Sequence, residues 1–77
     1  MNEHFYATTD LSLSAFLQAL GHKIVEVRNQ NGRGVFVFVD TPELHGDILR
    51  WGNNETVPIQ VRGFANGMRD LKGLVGV

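Results

Sequence analysis

The chain has no cysteine, and this absence removes two common ways of stabilising a small protein. Neither a disulfide framework nor a thiolate zinc site can supplement the core, so side-chain packing or association with another chain must stabilise the fold. A cysteine-free chain suits a reducing compartment, and we expect the protein in the cytoplasm. Its 77 residues predict a single domain, residues 1–77, near the lower size limit for a self-sufficient core.

The chain also lacks a large excess of positive or negative charge. The 7 Lys and Arg residues are balanced by 8 Asp and Glu residues, and the net charge of −1 argues against indiscriminate binding of nucleic acid or of a membrane surface. No apolar run approaches the ~20 residues of a membrane-spanning helix. The first ten residues include Glu3, His4 and Asp10 and lack the apolar core of a secretory signal. We therefore expect a soluble, unprocessed protein with no membrane partner.

Apolar residues at helical spacing indicate three helices. The predicted helices span about 10–20, about 42–51 and about 60–74. Asp10 or the preceding Thr9 can cap the first helix, and Thr41 followed by proline is typical of the start of the second. Three glycines inside the last helix each weaken it by ~1 kcal/mol, so we expect tertiary packing to hold it.

Between the first two helices, alternating β-branched and aromatic residues predict an antiparallel β-hairpin. Its strands span about 23–29 and about 33–39, and Asn31-Gly32 is the best turn dipeptide in the chain. The second strand is apolar on both faces, with Val35, Val37 and Val39 on one and Phe36 and Phe38 on the other. Something must therefore cover both faces. The predicted fold is a small α+β domain in the order α-β-β-α-α, with the hairpin packed against the helices.

Three motifs follow one another along the chain: Thr8-Thr9-Asp10-Leu11, Phe36-Val37-Phe38 and Arg69-Asp70-Leu71-Lys72. A T-T-D-L opening, an F-x-F strand and a terminal R-x-L-K helix resemble a family of short prokaryotic proteins, a domain of unknown function. The resemblance spans nearly the whole chain and implies a shared fold. It implies no activity and no site residues, because the family has no established activity.

No motif specifies catalysis, a cofactor or a metal. The three histidines are scattered, and no two of them have the i,i+3 or i,i+4 spacing of a helical metal site. Gly32-Arg33-Gly34 leads into a strand, whereas a phosphate-binding loop leads into a helix. The segment 33–38 is similar to an RNA-binding strand signature, but one residue is missing and its phenylalanines are expected in the core. We therefore expect no enzyme, no cofactor and no metal.

The last helix, with the only tryptophan, offers a candidate interaction surface. Its members are Arg62, Gly63, Asn66, Gly67, Arg69, Lys72 and Trp51. A partner helix or strand edge could approach closely at the two glycines, and the arginines would then select an acidic partner or a phosphate. Alternatively, the glycines pack on the protein's own hairpin beside a solvated face. Trp51 either anchors a partner or closes the core, and its position on an apolar stripe favours the core.

The function is unknown from the sequence, and three hypotheses compete. The leading one is a non-enzymatic protein-interaction module that binds a protein partner or associates with itself as a homodimer, by edge pairing of the hairpin across a two-fold axis. The alternative is a small nucleic-acid-associated or regulatory protein that contacts phosphates through Arg62, Arg69 and Lys72, which the near-neutral charge does not favour. An enzyme ranks third, because so short a chain rarely provides a sheltered pocket.

Overall fold

The computed structural model describes residues 4–75, which form one sheet and a layer of helices. The elements are, in order, β1 (Phe5–Thr8), α1 (Leu11–Ala19), β2 (Ile24–Gln30), β3 (Arg33–Val39), α2 (Pro42–Gly52) and α3 (Val61–Leu74). The α+β class and the β-hairpin are confirmed. The predicted order α-β-β-α-α was wrong in one respect, because strand β1 precedes the first helix.

Strand β1 completes an antiparallel sheet of order β1-β3-β2. Phe5 lies opposite Val39 and Thr8 lies opposite Phe36, so β1 pairs with the side of β3 that the hairpin leaves open. The strand has only four residues, too few to show a clear alternation. Both edges of the apolar strand β3 are therefore paired within the chain, and edge pairing of the hairpin through β3 is not available to a second molecule.

The hairpin turn forms where the sequence predicted it. Gln30 pairs with Arg33, which leaves Asn31 and Gly32 as a two-residue loop. Their φ angles are +54° and +81°, the left-handed values that a type I′ turn needs at both positions. The side-chain oxygen of Asn29 also accepts a hydrogen bond from the Gly32 amide at 3.2 Å. Local chemistry therefore fixes the register of β2 against β3 at this end.

Helices α1 and α2 begin at residues with identifiable capping chemistry. Asp10 accepts a hydrogen bond from the Leu13 amide at 3.0 Å at the start of α1, and Thr41 does the same for the Leu44 amide at 3.0 Å in α2. Gly21, with φ +98°, follows α1. Helix α3 has no side-chain cap, yet it continues unbroken through its glycines. Packing must therefore stabilise α3.

A single buried cluster joins the helices to one face of the sheet. It contains Leu13, Ala15, Phe16 and Leu17 from α1, Phe36 and Phe38 from β3, Leu44 from α2 and Leu71 from α3. Because every helix contributes to the cluster around the two phenylalanines, the helices lie on that face. The molecule is accordingly a slab of 36 × 32 × 18 Å with one layer of helices and one layer of strands.

Helix α3 buries less of its apolar surface than the sequence pattern predicted. Leu71 is buried and Phe64 and Met68 are partly buried, but Val61 is 82% exposed and Ala65 is also exposed. Helical spacing predicts an apolar stripe of Val61, Phe64, Ala65, Met68, Leu71 and Val75 on this helix. That stripe was too wide, because Val61 and Ala65 lie outside the side of α3 that packs on the core cluster. Its end instead packs closely on the hairpin, where Val75 lies against Gly34.

The buried cluster can be tested with two leucines of the same helix. Replacing Leu44, which is fully buried, by alanine should lower the free energy of unfolding by about 2–5 kcal/mol, because a cavity remains in the core. Replacing Leu49, which is 65% exposed, should change it by less than about 0.5 kcal/mol. Urea denaturation followed by circular dichroism measures both values, and equal effects would contradict the assigned orientation of α2.

The contact between the hairpin and the end of α3 predicts opposite effects for two glycines. A Cβ atom at Gly34 would overlap Val75 Cγ1 and lie 3.3 Å from Phe36 Cζ, so Gly34→Ala should destabilise the protein by about 1–3 kcal/mol. A Cβ atom at Gly46 meets nothing within 4 Å, so Gly46→Ala should stabilise helix α2 by about 0.5–1 kcal/mol.

The cause of the Gly34 effect can be isolated in a double variant. Combining Gly34→Ala with Val75→Ala should cost less than the sum of the two single changes, because the second change removes the overlapping methyl group. Thermal or urea unfolding of the four proteins measures the coupling. Strict additivity would show that the end of α3 does not lie on the hairpin.

Candidate interaction face

The face of the sheet opposite the helices is apolar at its centre. We call it the outer face, and it comprises Phe5 and Ala7 of β1, Val35, Val37 and Val39 of β3, and Val25, Glu26 and Arg28 of β2. The pairing places Ala7 and Glu26 on either side of Val37, and Arg28 beside Val35. Directly opposed residues of antiparallel strands share a face, so these side chains form one surface. Val25 has no opposed residue, but it lines one hollow together with Phe5 and Val37. No helix within residues 4–75 contributes to it.

The centre of the outer face is sheltered and its margins are open. Val35 and Val37 are only 8% and 4% exposed, although no helix lies over them. Phe5 and Val25, at the two sides, are 56% and 50% exposed. A shallow hollow of about 330 Å³ lies between them, and Glu26, Arg28 and Val37 complete its lining. A partner that covered this surface would therefore remove exposed apolar area from water.

Glu26 and Arg28 form an ion pair beside the valines. Arg28 Nη2 and Nε lie 2.7 and 2.8 Å from Glu26 Oε2, and each side chain is about half exposed, 50% for Arg28 and 48% for Glu26. The hydrogen bond that Arg28 donates lowers the pKa of Glu26, and the same bond raises the pKa of Arg28. A lowered carboxylate pKa gives stability that is present above the unfolded pKa and is lost as the pH falls, but solvent keeps this contribution small. The pair adds no net charge to the outer face.

The two free edges of the sheet are poor templates for another strand. Ile24 pairs with Phe38 while Glu26 pairs with Val37, so Val25 is an extra residue in β2 and forms a bulge. On the other side, β1 is only four residues long. Bulges and very short edge strands both discourage edge-to-edge association. The broad outer face is thus a more accessible apolar surface than either edge.

Four of the predicted surface residues lie together on the solvent side of α3. Arg62, Asn66, Arg69 and Lys72 are all exposed, and the three basic ones form no ion pair with any residue in the described range. They follow the outside of one helix and do not share a pocket: Asn66 borders the groove beside α1, whereas Lys72 borders a separate hollow that Arg33 also lines. The structure therefore gives them a common face but no convergent geometry.

The glycine flank of α3 faces helix α1, whereas the sequence alternative had placed it on the hairpin. Gly63 is exposed, and a Cβ atom at Gly67 would lie 3.4 Å from Gln18 Oε1. A groove of about 330 Å³ runs between the two helices at this point, with Ala15 and Ala19 among its lining residues. At Gly63 a Cβ atom would approach only Gln60, at 3.8 Å. Close helix approach therefore does not require glycine at position 63.

Trp51 is half-buried and packs on the core. Its ring centroid lies 5.0 Å from that of Phe16, with the two planes inclined by 44°. Tilted aromatic pairs of this kind contribute ~0.5–1.5 kcal/mol beyond the area they bury. The indole thus links the end of α2 to α1, and only part of it remains open to solvent.

Two histidines are engaged with carboxylates. His22 Nε2 lies 2.6 Å from Asp47 Oδ2, which ties the connection after α1 to helix α2, and His45 contacts Asp40. His22 also borders a groove of about 540 Å³ beside β2, where Leu71 and Leu74 line the other side.

Among residues 4–75, no three His, Asp or Glu side chains come together as a metal site requires. Over the same range, no helix is long and apolar enough to cross a bilayer.

Part of the outer face was visible in the sequence and part was missed. The alternation of Val35, Val37 and Val39 predicted an apolar face that needs cover. Phe5 and Val25 were not included among the candidate residues, because β1 and the bulge in β2 had not been predicted. The aromatic and β-branched run from Phe5 to Thr8 is the signal that could have indicated the additional strand.

Comparison with known proteins supports the resemblance seen in the sequence. Residues 3–77 match a family described as a domain of unknown function, DUF5659. No curated protein and no solved structure matches the chain. The family match begins before β1 and extends past α3, so it includes every element of the fold. The chain therefore belongs to DUF5659, a family whose function is unknown.

Proposed function

We propose that the protein is a non-enzymatic protein-interaction module that binds its partner through the outer face. The observation that carries this proposal is the apolar row of Val35, Val37 and Val39 on the side of the sheet away from the helices. Antiparallel sheets often leave one face in water, but such a face usually carries polar side chains between the apolar ones. Here the central strand is apolar on that face as well.

The exposed margins supply the energetic reason for binding. Phe5 and Val25 each leave about half of their surface open to solvent, at 56% and 50% exposure. Each square ångström of apolar surface removed from water contributes roughly 25 cal/mol. A partner surface laid across β1, β3 and β2 would cover both residues at once. Val35 and Val37 form the sheltered centre of that surface.

The phosphate-binding alternative draws less support from the structure. Phe36 and Phe38 are 2% and 0% exposed, so neither ring can stack on a base. The basic residues of α3 lie on the helical layer and have no aromatic platform between them. Protein binding at the outer face is the function that the geometry supports best.

Site-specific photo-crosslinking can test the proposal without knowledge of the partner. A benzophenone side chain at Phe5 or Val25, on the outer face, should form protein adducts in the cells that produce the protein. The same group at Leu49 or Val61, which are 65% and 82% exposed on the helical layer, should form few. Denaturing electrophoresis and mass spectrometry identify the adducts.

The two control positions are at least as exposed as the two test positions, so accessibility alone cannot produce the expected difference. Equal adduct formation at all four positions would contradict a specific role for the outer face. The absence of adducts at Phe5 and Val25 would contradict the proposed function itself.

A further inference from the structure

From the outer face we infer that the partner is a second copy of this chain, packed sheet against sheet across a two-fold axis. The inference rests on the proposed function and names the partner of the same surface. In this arrangement, Glu26 of each protomer lies against Arg28 of the other. The product is a four-layer assembly with helices outside and two sheets inside.

Charge complementarity is the first argument for a second copy. A two-fold interface sets residue i against residue j and, by symmetry, j against i. Glu26 and Arg28 lie two residues apart on one strand and on one face, and they form a pair of opposite charges with no net charge. A second copy therefore presents the matching charges in the required order. A strongly acidic or strongly basic partner would leave one of the two residues facing a like charge.

The shape of the molecule gives the second argument. Sheets that pack face to face are separated by ~10 Å, and the side chains of their two inner faces interdigitate to form an apolar core. The slab is 36 × 32 Å across and only 18 Å thick, so its outer face is one of its two broadest surfaces. The exposed Phe5 and Val25 of one protomer then supply most of the apolar contact with the other, and the partly buried Val39 adds to it, since Val35 and Val37 are already sheltered.

Area sets the expected strength of the dimer. A seven-residue strand is ~24 Å long and three strands span ~10–15 Å, so the sheet itself offers a footprint of roughly 350 Å². A standard stable interface buries ~800 Å² on each partner. The sheet alone supplies less than half of that area, and the rest must come from side chains at the margins. We therefore expect a reversible dimer that dissociates on dilution.

The inference is tested by exchanging charges and measuring the mass of the purified chain. Sedimentation equilibrium at low ionic strength, from ~1 μM to ~1 mM, should show a rise from the 8.6 kDa monomer to twice that value. Glu26→Arg and Arg28→Glu should each raise the dissociation constant at least about tenfold, because like charges then face each other across the axis. Mixing these two variants should restore association, and so should combining both changes in one chain.

Control variants carry the same charge changes elsewhere. Glu55→Arg and Arg50→Glu alter exposed residues outside the outer face and should leave the mass distribution unchanged. Unfolding curves for every variant distinguish a lost interface from a lost fold. Dimerisation that is insensitive to the changes at positions 26 and 28, or a mixture that stays monomeric, would overturn the inferred arrangement.

The two experiments separate the two proposals. A chain that stays at 8.6 kDa up to ~1 mM, with adducts of another protein at Phe5 and Val25, would overturn the second-copy inference and leave the interaction module standing. A chain that stays monomeric and forms no adducts at these positions would overturn both. Adducts of twice the chain mass, together with restored association in the mixed variants, support both.

Discussion

Strand β3 constrains the whole molecule because it is apolar on both faces. Its phenylalanines and its valines cannot share one core, since successive side chains of a strand point in opposite directions. The chain covers these two faces in different ways. Helices cover Phe36 and Phe38, whereas Val35 and Val37 lie outside the buried cluster, with Ala7 and Glu26 opposite Val37 and Arg28 opposite Val35 on the neighbouring strands. All three helices therefore lie on the phenylalanine face of the sheet, and β1 and β2 lie on the two sides of β3.

The length of the chain explains why the helices all lie on one side. A short domain without disulfides gains most from one continuous cluster, because two small half-cores would each expose a large fraction of their surface. The buried residues of α1, α2 and α3 form such a cluster with the two phenylalanines. Covering the valine side with a helix as well would require an additional element. Strand β1 needs only four residues to pair with the free edge of β3, and it places Phe5 beside Val39.

The features that were predictable from the sequence are those with local causes. Asp10, Thr41 and the Asn31-Gly32 turn act on backbone groups within a few residues, so the helix starts and the hairpin could be inferred directly. Strand β1 could not, because its partner is distant in the chain and its own pattern is only four residues long. The exposure of Val61 was also missed. Helical periodicity identifies the apolar side of a helix, but the neighbouring elements decide how much of that side is covered.

The candidate site was also only partly predictable from the sequence, because it depends on residues that are distant in the chain. The sequence identified an apolar row on β3, yet the identity of the surface depends on β1, on the bulge at Val25 and on the layer to which the helices belong. The regular spacing of the glycine and arginine residues of α3 predicted an interaction surface. Regular spacing along one helix, however, does not create a concave or apolar surface. The outer face combines residues from separate strands, and only the register of the sheet brings them together.

The choice of valine along the outer face is informative because strand formation alone does not require it. Threonine is also β-branched and has a similar preference for strands, and a solvated face commonly uses such polar residues. Val35, Val37 and Val39 instead follow one another without a polar substitute. A local departure from the usual pattern is expected where function competes with solubility. The sheltered centre limits the cost of this departure in the monomer, and the exposed Phe5 and Val25 mark the margins where a second surface would gain the most apolar contact.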